Sequence, residues 1–273
     1  MKVVLFCGGQ GMRLREFSDH LPKPLVPLGY RPVLWHVMRY YAHFGHKDFI
    51  LCLGYKADEI KNYFLNYNEC TSNDFVLSKG REVKLLSADI DDWNITFVDT
   101  GLHSNIGQRL KAVQPLLEGE EMFLANYSDG LTDLDLHQQM ADFSASDAVA
   151  GFMAYQPTQS FHVVSFGDSD EVASISPIAS SGLWINAGYF AFRQEIFDYL
   201  GPGEELVEQP FQRLIRGGRL QAHRHEGFWA AMDTLKDKQE LEKLSAHGAA
   251  PWEVWATAPK HRPYATPARM AVC

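Results

Sequence analysis

Positive charge is in short supply in this 273-residue chain, where 25 Lys and Arg stand against 34 Asp and Glu for a net charge of −9. An acidic body is not drawn to a nucleic-acid backbone or to an anionic membrane surface, so no nucleic-acid and no membrane partner is expected. Cysteine is equally scarce. Cys7, Cys52, Cys70 and Cys273 show no CxxC step and no Cys/His spacing that would hold a metal. All four are expected to be free thiols, with Cys7 and Cys52 acting as small buried hydrophobes at the ends of apolar runs. No signal peptide precedes Lys2 and no apolar stretch is long enough to span a bilayer, which predicts a soluble, cytoplasmic protein. There is no internal repeat.

What is present is concentrated near the N-terminus. Lys2 to Cys7 is an apolar, β-branched run that stops abruptly at Gly8-Gly9-Gln10-Gly11, the pattern of a buried strand breaking into a glycine loop. Glycines let a loop turn tightly and bring its N–H groups close to an anionic ligand. Arg13 follows, a planar cation shaped to fork onto phosphate oxygens. Lys23 lies between Pro22 and Pro24, which stiffen its backbone. Together these residues form a candidate nucleotide phosphate site. The stretch is not a P-loop, because no Gly-Lys-Ser/Thr follows at the required spacing. Nor is it a dinucleotide fingerprint, since Leu14 stands where the third glycine belongs.

The chain then alternates. A helix is expected over Pro32 to Phe44, a strand over Asp48 to Leu53, a helix over Ala57 to Tyr67, and a strand over Asn94 to Val98 after a polar excursion. A helix over Gln108 to Leu117, a strand over Glu121 to Ala125 and a helix over Leu136 to Ser144 continue the series. Strand–helix alternation with short connections predicts a Rossmann-like, three-layer α/β fold with a mostly parallel sheet. Ligands bind beyond the carboxyl ends of such strands, and Asp129 in Asn126-Tyr127-Ser128-Asp129-Gly130 falls there beside the glycine loop. A carboxylate in that position favours a cation, and Mg²⁺ bound by one or two carboxylates plus phosphates is the usual arrangement. Asp133 and Asp135 read as capping residues of the helix after them. Strands expected over Ala148 to Tyr155, Phe161 to Phe166, Val172 to Ile175 and Leu183 to Phe192 leave this order and predict a smaller antiparallel sheet over the crevice. Helices over Glu205 to Arg216 and Thr234 to Ala246 flank a strand at Arg219 to Arg224.

GGQGMRL and KPLVPLGYRPVLWHVM, followed in order by KDFILCLGYKADEIKNYF, ITFVDTG, GQRLKAV, YSDGLTDLD, WINAGYF, GFWAAMDTLKDKQELE and APWEVW, resemble the sugar-1-phosphate nucleotidyltransferases over almost the whole chain. The likeness is closest to the members that make CDP-glucose from CTP and glucose 1-phosphate. The resemblance implies a catalytic region over 1–246, with a nucleotide half over about 1–147 and an acceptor half over about 148–246. An aromatic segment and flexible tail are expected over 247–273. It implies that Gly8, Gly9, Gly11, Arg13, Arg109 and Tyr127 hold the nucleotide, that Lys23 and Arg13 act on the reacting phosphates, and that Asp129 and Asp233 bind Mg²⁺. Asn186 and Gly188 would face the sugar. A homo-oligomer is expected from the same resemblance and from Trp252 and Trp255.

Two departures bear on the acceptor. Where the family carries Glu-Lys-Pro, this chain reads Ile175-Ser176-Pro177-Ile178-Ala179-Ser180-Ser181, and Phe161-His162 replaces Phe-Gly. Either the acceptor differs from glucose 1-phosphate, another cation such as His162 substitutes, or the enzyme is weak. The implied reaction gives a CDP-sugar and pyrophosphate by in-line attack on the α-phosphate, with no general base. A different acceptor (a phosphonate or a phosphocholine-like group) or base, and a non-catalytic nucleotide-binding homologue, are the alternatives.

Overall fold

The computed structural model describes residues 1–9, 11, 21–158, 161–248 and 250–257. Arg13 and Gln10 lie outside them, as does the tail beyond Thr257.

Lys2–Phe6 forms the central strand. Val3 and Leu5 enter one apolar cluster with helix Val33–His43, while Val4 and Phe6 enter a second with Leu110, Val113, Phe211 and Leu214. Burial on both faces is why the run is continuously apolar rather than alternating. Asp48–Leu53 pairs with it in parallel on one side, and Asn94–Asp99 pairs in parallel beyond that. Met122–Asn126 pairs in parallel on its other side. The helix-on-both-faces, mostly parallel sheet expected from the sequence is therefore present.

The later strands join the same sheet. Phe190–Arg193 runs antiparallel to Met122–Asn126, and Ala150–Tyr155 antiparallel to Phe190–Arg193. Ala150–Tyr155 also pairs with Ile185–Asn186 (antiparallel) and with Leu220–His225 (parallel). These strands, expected in a separate cover, extend the main sheet to eight strands instead. The reason lies in their composition: Ala150, Met153, Phe190, Ala191 and Phe192 are wholly buried and need apolar layers on both faces. Small antiparallel pairs do remain outside it, at His162–Phe166 with Val172–Pro177, and at Gly130–Thr132 with Trp229–Ala231.

Two helices are shorter than their apolar periodicity predicts, each because of proline. The helix expected over 108–117 spans Ile106–Ala112, opened by an Asn105/Gln108 capping box, and gives way to a 3₁₀ turn at Gln114–Leu117. Pro115 lacks the N–H that an α-helix would need and crowds the preceding turn. The helix expected from Glu205 begins at Gln209, with Pro210 in its first turn, the position where proline is preorganised for a helix. Asp135 caps Leu136–Ser144 as expected. Asp133 does not; its carboxylate accepts from Phe228 N–H and pairs with His225 at 2.9 Å.

The C-terminal aromatics fold back on their own chain. Trp252 is buried against helix Val33–His43, its ring 6.2 Å from His36, and Trp255 meets Trp35 edge-on. The helix of the same chain takes up the two tryptophans on which the homo-oligomer expectation partly rests. Cys7 and Cys52 are free and buried. Cys70, expected free, is disulfide-bonded, and Cys273 lies outside the described residues. Among the described residues no helix is long and apolar enough to cross a membrane.

Candidate active site

The parallel strands Lys2–Phe6, Asp48–Leu53 and Met122–Asn126 end along one edge of the sheet, and a cleft of about 620 Å³ opens there. That volume suits a nucleotide-sized ligand. Gly9, Gly11, Lys23, Arg109, Tyr127, Asp129, Asn186 and Asp233, all singled out in the sequence, line it.

Lys23 opens a 3₁₀ turn, Lys23–Leu25, between its two prolines. Gly11, at φ +60°, packs on its stem so closely that a Cβ there would lie 2.9 Å from Lys23 Cβ. The lysine is thereby aimed at two carboxylates, donating to Asp129 Oδ2 at 2.5 Å and to Asp233 Oδ1 at 2.6 Å. Asp129 follows Ser128, which adopts φ +67° and donates its hydroxyl to Phe6 O at 3.0 Å. That left-handed turn directs Asp129 into the cleft. Asp233 is brought alongside by the pairing of Gly130 with Ala231 and by the Met232 N–H donating to Asp129 O at 3.0 Å.

Burial pulls the Lys23 ammonium towards neutrality, but the two carboxylates outweigh it and its pKa is raised. Burial, helped by the neighbouring Asp233 charge, raises the Asp129 carboxyl against the opposing pull of Lys23. The two tendencies oppose each other over one proton. Two acceptors on one ammonium at these distances favour the charged pair.

Hard oxygen donors are what Mg²⁺ requires, and it is commonly held by one or two carboxylates with phosphates and water completing its shell. Asp129 and Asp233 supply that number, and no cluster of three or more His, Cys, Asp or Glu able to hold a metal occurs among the described residues. The donor set therefore fits a cation delivered with phosphate.

Arg109 faces both ways. It lines the cleft, yet its guanidinium is buried and donates to Leu53 O (2.9 Å), Thr100 Oγ1 (2.7 Å), Gly8 O (3.1 Å) and Leu102 O (3.5 Å). It ties the glycine loop to the ends of two neighbouring strands. Gly8 sits behind the lining against this guanidinium, and Gly188 (φ +79°) sits behind Tyr127. Its N–H donates to Asn186 Oδ1 at 2.9 Å, orienting that side chain. His162 stands apart. It is exposed on the His162–Phe166 strand opposite Pro177, and it does not line the cleft.

Residues 2–236 match the family model described as Nucleotidyl transferase. The chain belongs to the nucleotidyl transferase family. It is 36% identical over 258 residues to a probable glucose-1-phosphate cytidylyltransferase of Bacillus subtilis (strain 168), covering 93% of this chain and all of that one. It is 37% identical over 257 residues to a glucose-1-phosphate cytidylyltransferase of Salmonella typhimurium, with the same coverage. Among solved structures, a UDP-glucose pyrophosphorylase complexed with UDP-glucose superposes with a TM-score of 0.67 at 14% identity, over 90% of this chain and 98% of that one. A putative glucose-1-phosphate thymidylyltransferase from Bacillus anthracis gives 0.66 at 17%, over 92% and 95%. These two share the fold. The protein is thus a nucleotidyltransferase, an enzyme of the class its sequence resembles.

The nucleotidyltransferase cleft also contains residues that sequence reasoning missed. Glu205 and Trp229 are among these, whereas Ser104, Asn105 and Ile106 come from the 102–108 loop that the family resemblance places over the nucleotide. Gly54 shapes the cleft from behind, since a Cβ there would lie 2.9 Å from Arg109 Nη1, Gly101 O and Gly8 O. Their only sequence signal was position, at strand ends and in the loops that follow them, and position does not say which way a loop folds.

Proposed function

We propose that the cleft joins CTP to a sugar 1-phosphate, glucose 1-phosphate foremost, to give a CDP-sugar and pyrophosphate. The observation that carries this is the convergence of Lys23, Asp129 and Asp233 beside the glycine loop. CTP and glucose 1-phosphate are favoured because relatives over 30% identical across their full length are named for that pair.

A phosphate monoester has its second pKa at about 6, so the acceptor is mostly dianionic near neutral pH and its oxygen needs no general base. The barrier lies in bringing two anions together in line and in stabilising charge on the α-phosphate and the departing pyrophosphate. Asp129 and Asp233 would hold Mg²⁺, which neutralises and orients phosphate oxygens when bound. Lys23 supplies a mobile positive charge to the reacting phosphate. The Gly9 and Gly11 region lets backbone N–H groups approach the leaving group, and Arg109 keeps that loop in place. Asn186, oriented by Gly188 N–H, presents its amide to the acceptor end of the cleft. Arg13 belongs to the same proposal as a pyrophosphate ligand.

A second acceptor is favoured by one observation. Lys23 and Arg109 are the only Lys or Arg residues lining the cleft among the described residues, and both are engaged. The 175–181 segment adds no cation. Pyrophosphate release with Mg²⁺, each of the four NTPs and a panel of phosphorylated acceptors tests both readings. Release with CTP and glucose 1-phosphate is the expected result. Release only with another acceptor moves the assignment to that compound, and silence across the panel with CTP still bound removes the catalytic assignment.

A further inference from the structure

Granting the divalent-cation site proposed above, we infer that Lys23 is a resident counter-ion of the Asp129–Asp233 pair and competes with the metal for it. In this scheme a high concentration of metal alone is needed to displace Lys23, whereas nucleotide phosphates that receive its ammonium release it at low metal concentration. The enzyme then takes metal and nucleotide together rather than metal first.

The frame that holds the two carboxylates does not depend on the lysine. Asp129 and Asp233 flank the paired strands Gly130–Thr132 and Trp229–Ala231, locked by the Gly130–Ala231 register and by Met232 N–H donating to Asp129 O. Two like charges are therefore held together by backbone, and some cation must offset them. Lys23 does so at 2.5 and 2.6 Å, using carboxylate oxygens that a metal would also need.

Only the side chain of Lys23 is free to respond. Its backbone is fixed by Pro22 and Pro24, by Leu25 N–H donating to Pro22 O (2.8 Å), and by Val26 N–H donating to Lys23 O (3.0 Å). Displacing the ammonium without a new anion would crowd a cation against a metal. Triphosphate oxygens remove that penalty, and the same swing delivers the lysine to the reacting phosphate. Coupling of this kind is reciprocal: whatever CTP does to metal affinity, metal must do to CTP affinity.

The test is Mn²⁺ binding, followed by electron paramagnetic resonance on the full chain, for wild type and Lys23→Gln with and without CTP. Without CTP, Lys23→Gln should bind Mn²⁺ more tightly than wild type by roughly tenfold or more, and CTP should tighten wild type by a similar factor. Lys23→Arg, which keeps the charge, should stay as weak as wild type. Equal metal affinity in wild type and Lys23→Gln would overturn the competition while leaving the metal site standing. No Mn²⁺ binding by any protein, even with CTP, would remove the site itself and the inference with it.

Wild type offers a second measurement should Lys23→Gln fail to fold. Acylation of Lys23, mapped by peptide mass, should accelerate when Mg²⁺ is added alone at high concentration. A salt of a monovalent cation at equal ionic strength should leave the rate unchanged. No acceleration at a Mg²⁺ concentration that displaces bound Mn²⁺ would overturn the proposal.

Discussion

At the residue scale, the glycine loop is specified by what packs behind it as much as by what it faces. A Cβ on Gly8 would lie 2.0 Å from Arg109 Nη1 and 2.3 Å from its Cζ, whereas a Cβ on Gly9 would meet nothing within 4 Å. Arg109 cannot retreat easily, because four acceptors on three segments hold its guanidinium. Gly8→Ala should therefore cost about 1–3 kcal/mol of stability, the usual range for overpacking, and should lower turnover by displacing the loop. Gly9→Ala should leave the denaturation midpoint unchanged. Urea denaturation of the two variants checks this, and equal midpoints would show that the guanidinium can move aside. The glycines were visible in the sequence, but the division of labour among them was not. It depends on a side chain a hundred residues away that no local pattern connects to them.

At the scale of elements, legibility followed local chemistry. Leu136–Ser144 was readable end to end because Asp135 announces its start. Ile106–Ala112 and Gln209–Arg216 were overrun because apolar spacing continues through a proline that the backbone cannot follow. The helix Val33–His43 was equally clear, yet its docking on the C-terminal segment was hidden. His36 shows how that docking works. Its Nε2–H donates to Leu28 O at 3.0 Å, which leaves Nδ1 to accept from Trp252 Nε1–H at 3.3 Å. The Trp252 bond requires the neutral ring, because a protonated Nδ1 has no lone pair to accept with, and burial lowers the His36 pKa from 6.5 to about 4, against the smaller opposing effect of the Leu28 carbonyl. Between those values the unfolded chain binds a proton that the folded chain refuses. The contribution is complete above pH 6.5 and is lost as pH falls towards 4, by up to about 3 kcal/mol. Urea midpoints across that range should fall more steeply for wild type than for His36→Gln. Parallel curves would show that other groups set the acid limit.

A second element-level tether holds the polar excursion after Leu65. Arg31 is buried beneath Tyr67, its guanidinium 4.0 Å from the ring centroid, and pairs with Asp89 at 3.2 Å. Asp89 also accepts from Tyr67 and Ser72 hydroxyls. Removing one partner of such a pair strands the other charge, so Arg31→Ala should lose about 3–5 kcal/mol. Arg31→Ala with Asp89→Ala together should recover part of that loss, and a double variant no more stable than the single one would count against an ion-pair origin. Arg31 was read only as part of a family motif. Nothing near it in sequence announces Asp89, 58 residues on.

For the whole molecule, the site exists only when the entire sheet is assembled. Lys23 meets Asp129 across 106 residues and Asp233 across 210; a 3₁₀ turn carries the lysine, and the paired strands Gly130–Thr132 and Trp229–Ala231 carry the two carboxylates. The sequence could supply the parallel strand–helix alternation of the first half because crossover connections leave little choice. It could not show that the later strands would enter the same sheet in antiparallel fashion, which depends on long-range pairing. One consequence is global linkage: a ligand that touches all three residues can bind only the folded chain. CTP with Mg²⁺ at about a hundred times its dissociation constant should add about 2.7 kcal/mol, or roughly 5–10 °C in Tm for a chain of this size. Asp233→Asn should retain the shift due to CTP alone and lose most of the increment due to Mg²⁺, because it removes one of two carboxylates and leaves the glycine loop intact. Thermal scans of wild type and Asp233→Asn, with CTP, with Mg²⁺ and with both, separate these contributions. An Mg²⁺ increment of equal size in the two proteins would take Asp233 out of the metal site, and Asp129 would then have to hold the cation with phosphate oxygens alone.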